Sequence, residues 1–92
     1  MNITEFLEAR IAEDEAEAQV AKAEFTHGGY GCYGPARVLA ECAAKRAIVQ
    51  LQGEATREGY DNAAAYLWDA LFALASVYRL HPDYQQEWAV GG

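Results

Sequence analysis

Basic residues are scarce in this 92-residue chain, with seven Lys and Arg against fourteen Asp and Glu and a formal net charge of −7. Nucleic-acid affinity is built largely from clustered Lys and Arg, so a direct DNA- or RNA-binding surface is not expected. Proline is confined to Pro35 and Pro82. With 52% hydrophobic and 23% charged residues, the composition is that of a globular domain and not of an extended disordered segment. No basic region followed by an apolar core opens the chain, and the longest apolar stretch, around Ala70–Val77, is short and flanked by Asp69 and Arg79. Neither a signal peptide nor a membrane span is expected, and the reading is a cytoplasmic protein. Only Cys32 and Cys42 are available for a bridge; without a secretory signal both are read as free thiols.

What is present is helical periodicity. Ile3, Leu7, Ile11, Ala18, Ala21 and Phe25 fall on one face at spacings of three, four or seven, which predicts a long amphipathic first helix. Residues 1–25 carry seven of the acids and two of the bases, so this helix is also the acidic one. Asp14 lies in the middle of its apolar stripe and needs a partner there. Four glycines in Thr26–Gly34 cannot sustain a helix, which makes this stretch the main loop. Pro35 suits a first helical position with Gly34 as cap, and Val38, Leu39, Cys42 and Val49 share one side of the second helix. On its solvent side Arg37 pairs with Glu41 and Glu41 with Lys45. Arg46 lies on the apolar side, mirroring Asp14, so an Asp14–Arg46 ion pair is expected, against the alternative of an arginine that packs its stem and leaves its head wet.

The second helix is expected to fray between Gly53 and Gly59, with Asp61 capping a third helix from near Asn62. Ala64, Leu67, Leu71, Leu74 and Tyr78 form its main stripe, with Trp68, Phe72 and Ala75 as a shoulder. That face is wider than one partner helix requires, marking either a central helix or a dimer face. Pro82 disfavours helical geometry at His81, and Asp83 with Gln86 resembles a capping box for a short final turn over Asp83–Trp88. His81 is read as satisfying helix-terminal carbonyls. The expected architecture is all-α: a small antiparallel bundle of three main helices with a short C-terminal helical turn, one domain over residues 1–90, and a disordered tail at 91–92.

Little in this pattern carries chemistry. His27, Cys32, Cys42 and His81 match no close-paired zinc spacing, and a Cys32 nucleophile beside His27 lacks anything to orient the imidazole. The glycine loop lacks the Lys-Ser or Lys-Thr of a phosphate cradle. No cofactor, metal or catalytic residue is expected. Tyr30 and Tyr33 on that loop, with Arg37 just beyond it, are the protein-binding candidates, against the reading that the tyrosines fold back over the bundle end.

The run Gly34-Pro35-Ala36-Arg37-Val38-Leu39-Ala40-Glu41-Cys42-Ala43-Ala44-Lys45-Arg46, the opening Asn2-Ile3-Thr4-Glu5-Phe6-Leu7 and the closing His81-Pro82-Asp83-Tyr84-Gln85-Gln86-Glu87-Trp88 together resemble a family of small uncharacterised proteins from actinobacteria and their phages. The resemblance implies a source and a fold, and carries no reaction. The Gly28–Gly34 loop departs from the shorter, more polar connection such a family implies. The function expected is therefore a non-enzymatic protein-interaction module of phage or prophage origin, binding a host protein or a second copy of itself. The alternative is an acidic inhibitor of a host nucleic-acid-binding protein, working through Glu13, Asp14, Glu15 and Glu17 of the first helix.

Overall fold

The computed structural model describes residues 1–24 and 34–89. Three α-helices, α1 (Ile3–Glu24), α2 (Pro35–Glu58) and α3 (Asp61–Ala75), are followed by 3₁₀ turns at Ser76–Tyr78 and Gln86–Trp88. Among the described residues there is no strand, and each helix packs against the other two, giving the expected three-helix all-α bundle with its short C-terminal turn. No helix among these residues is long and apolar enough to cross a membrane.

The helix ends follow from local chemistry. Asn2 caps α1: its Oδ1 accepts the Glu5 N–H at 2.8 Å while the Glu5 carboxylate accepts the Asn2 N–H at 3.1 Å, a reciprocal capping box. α2 starts at Pro35 with Gly34 as its cap. It does not fray at Gly53 but runs unbroken to Glu58, because the termination signal sits only at Gly59, whose φ of 77° is left-handed. There the N–H of Tyr60 donates to the Ala55 carbonyl and that of Gly59 to the Thr56 carbonyl, satisfying carbonyls the helix leaves open. Asp61 is the first residue of α3 and not its cap; Tyr60 holds that position, and Asp61 places an acid in the first turn.

The core is centred on α1. Ile3, Phe6, Leu7 and Ile11 are buried against Cys42 and Val49 of α2, Leu71 and Ala75 of α3, and Trp88. Phe6 carries most of this packing. Its ring sits 5.0 Å from Trp88, 5.7 Å from His81, 6.1 Å from Tyr78 and 6.2 Å from Tyr84, all tilted or edge-on, the arrangement aromatic quadrupoles favour. The chain after α3 thus folds back over the N-terminal half of α1, and Gln85 Nε2 donates to the Met1 carbonyl at 3.0 Å. Its short turn spans Gln86–Trp88 only, and the Asp83 capping box does not form; instead the Asp83 N–H donates to His81 Nδ1 at 3.0 Å.

Candidate interaction surface

Three charged groups lie where α1 meets its neighbours, and each has found a specific partner. Arg10 is the deepest, only 7% exposed. Its Nη2 donates to Glu13 at 2.7 Å, its Nη1 lies 2.6 Å from His81 Nε2 and 3.6 Å from the Asp83 carboxylate, and its Cζ stands 5.3 Å from the Phe6 centroid. Nη1 also lies 3.0 Å from His81 Nδ1, the ring nitrogen that accepts the Asp83 N–H; a guanidinium can only donate and a neutral imidazole has one accepting nitrogen, so Nδ1 is the acceptor, and His81 serves the α1 arginine instead of helix-terminal carbonyls. Arg10 Nε is buried without a hydrogen-bond partner among the described residues.

The expected Asp14–Arg46 pair does not form. Arg46 instead grips Glu15 through two hydrogen bonds, Nε to Oε2 at 3.0 Å and Nη2 to Oε1 at 2.6 Å. This fork holds the Glu15 carboxyl below the usual range and the Arg46 guanidinium above its own. Asp14, one residue earlier and about 100° round the helix, faces α3 and accepts the Tyr78 hydroxyl at 2.7 Å. Lys45 leaves Glu41 for the same group: its Nζ donates to the Tyr78 oxygen at 3.2 Å and lies 5.2 Å from that ring's centroid. Asp14, set in an apolar stripe, needs a partner, and a hydroxyl 64 residues away meets that need without burying a second charge.

These contacts decide what the site can do chemically. Burial, and then the hydrogen bond to Asp14, push Tyr78 well above a free phenol, so it keeps its proton and is a poor base or nucleophile. Burial also raises the Cys42 thiol, with the Asp14 charge adding to it; the thiol is free and points at the Ile11 carbonyl at 3.9 Å. Among the described residues no group of three or more His, Cys, Asp or Glu is placed to hold a metal. A cleft of about 550 Å³ lies between α1 and the start of α2, walled by Ala18, Ala21, Pro35 and Val38 and rimmed by Asp14, Glu17, Glu41 and Lys45. Arg37 stands on the first turn of α2, exposed and paired with Glu41 at 3.1 Å as expected. Tyr30 and Tyr33, with Phe25, His27 and Cys32, lie outside the described residues.

The sequence reading missed the outer face of α3. Between Asp61 and Arg79 the only charged residue is Asp69. Leu71 and Ala75 are buried, yet Tyr66 is 77%, Val77 61% and Leu80 91% exposed, and Ala63 and Ala73 are exposed with them. With half-buried Ala70 these residues recur at intervals of three and four: Ala63, Tyr66, Ala70 and Ala73 lie on α3 itself, and Val77 and Leu80 carry the apolar exposure on into the 3₁₀ turn and the residues just after it. The spacing was readable in the sequence, but it is overshadowed there by the stronger stripe of Leu67, Leu71 and Leu74 that packs inward.

No curated protein and no solved structure matches this chain. The bundle, the charged ties of α1 and the uncovered α3 face all lie within residues 1–90, the stretch over which the chain matches, and by that match belongs to, the family of unknown function DUF6221.

Proposed function

We propose that the protein is a non-enzymatic interaction module whose working surface is the outer face of α3. The observation that carries this reading is the uncovered stripe of Ala63, Tyr66, Ala70, Ala73, Val77 and Leu80. A helix apolar around most of its circumference is ordinarily buried on all sides, and contiguous exposed apolar surface marks contact sites. The phage or prophage origin implied by the family resemblance, and a cytoplasmic setting, belong to the same reading.

The acidic-inhibitor alternative has less support. Of the run it would use, Glu13, Asp14 and Glu15 are engaged by Arg10, Tyr78 and Arg46, which leaves Glu17 as the member without a tie to a cation or hydroxyl among the described residues.

Capture with the tagged chain, from an actinobacterial lysate that also contains the untagged chain, separates the two. An apolar α3 contact survives high salt and is lost in Ala73→Glu. Capture that Ala73→Glu leaves intact, and that high salt removes, overturns the α3 reading in favour of the acidic helix.

A further inference from the structure

We propose that His81 is a proton-operated clasp: with its imidazole neutral it fastens the chain after α3 to α1, and when the ring takes up a second proton that chain lets go and uncovers Phe6. This device is independent of the α3 face. Three observations support it.

The first is the chemistry of the contact. Arg10 Nη1 lies 3.0 Å from His81 Nδ1 and 2.6 Å from Nε2, and a guanidinium has only N–H groups to offer. The tie therefore depends on the one lone pair of a neutral imidazole. Nδ1 also accepts the Asp83 N–H at 3.0 Å. A proton on that nitrogen thus removes the acceptor of two hydrogen bonds and sets a second cation against the guanidinium.

The second is what surrounds the ring. Arg10 is buried and keeps its charge at every relevant pH, so it cannot yield. Two carboxylates face the pair: Asp83, 4.0 Å from His81 Nδ1 and 3.6 Å from Arg10 Nη1, and Glu13, 2.7 Å from Arg10 Nη2. Both are largely exposed, so solvent weakens their compensation for a second positive charge. The other neighbours are Phe6, whose ring lies 5.7 Å away, and Tyr78, whose hydroxyl is already given to Asp14. Neither supplies an acceptor to a protonated ring.

The third is what the clasp holds. The segment from Arg79 to Ala89 contains no α-helix, only the 3₁₀ turn Gln86–Trp88, and it lays Tyr84 and Trp88 over Phe6. Beyond the clasp, an exposed Gln85–Met1 hydrogen bond at 3.0 Å and ring packing keep it there. A segment tied by so few bonds can open while the three helices stay folded.

Trp88, buried beside Phe6, reports the opening. Trp68→Phe leaves it as the single tryptophan, and its quenching by acrylamide is followed in that protein from about pH 8 to about pH 5, the span in which imidazoles titrate. Quenching should rise several-fold towards acid with helical circular dichroism unchanged. His81→Gln, which keeps an accepting oxygen and gains no proton, should abolish the rise. Asp83→Asn, at an exposed position, removes the carboxylate beside the ring and should bring the rise at higher pH. Quenching that stays flat in the parent, or rises equally in His81→Gln, overturns the clasp. So does a rise that comes only together with loss of helix, or a profile that Asp83→Asn leaves in place.

Discussion

Arg10 and His81, 71 residues apart in sequence, meet with Nη1 2.6 Å from Nε2, and this contact ties the chain after α3 to α1. Glu13 and Asp83, the other partners of Arg10, are both largely exposed, so removing the arginine strands no buried anion. What is lost is packing over Phe6 and the hydrogen bonds of the fork. Arg10→Ala should destabilise the fold by about 2–3 kcal/mol in urea unfolding. Arg10→Lys should recover less than half of that, because a point ammonium cannot engage Glu13, His81 and the Phe6 ring together.

Tyr78 stands between Lys45 and Asp14, and Tyr78→Phe removes the hydroxyl that satisfies a half-buried carboxylate. The expected cost is about 1–2 kcal/mol near neutral pH. Because the folded-state pKa of Tyr78 is raised, its contribution is complete below the ordinary phenol value of about 10 and is lost as pH climbs beyond it. Stability of the wild type should therefore fall on the alkaline side, and the fall should be shallower in Tyr78→Phe. Equal alkaline slopes in the two proteins would remove Tyr78 from the account.

Glu15 gives the opposite limb. Its carboxyl is held low by Arg46, so its contribution is present above the ordinary carboxylate range and disappears as pH falls through the lowered folded-state value. Glu15→Gln should flatten the acid side of a denaturant-midpoint profile, and an acid limb unchanged in that variant would remove the Arg46 fork from the account.

The two glycines that bracket the end of α2 should respond in opposite directions. A Cβ on Gly53 meets only the far end of the Arg57 side chain at 3.6 Å, an ordinary contact. Gly53→Ala should stabilise the protein by about 0.5–1 kcal/mol, through lower chain entropy in the unfolded state. Gly59 has open space around it, but its φ of 77° strains any L side chain, so Gly59→Ala should cost about 1 kcal/mol. Thermal denaturation of the two variants should bracket the wild type.

The helices were legible because their signals are local: Pro35 and Gly59 mark the ends of α2, and the spacing of Ile3, Leu7 and Ile11 marks the buried face of α1. The partner of each buried charge was not. Asp14 and Glu15 differ by one residue, a rotation of about 100°, and only the crossing of α1 with α2 and α3 decides which of them meets Arg46. Arg10 escaped notice for a related reason. On its own helix it reads as a surface cation, and only the return of the chain from His81 to Trp88 buries it. The reading of Gly53 failed because one glycine without a left-handed φ weakens a helix locally but does not end it.

The account's central claim is that the outer face of α3 is the surface through which this protein binds, and capture with the tagged chain tests it most directly. What co-purifies at high salt is compared between the wild type and Ala73→Glu, an exposed position of α3, with helical circular dichroism checked for both. The account predicts a partner that the wild type retains at high salt and that Ala73→Glu loses. A partner that Ala73→Glu retains would contradict it.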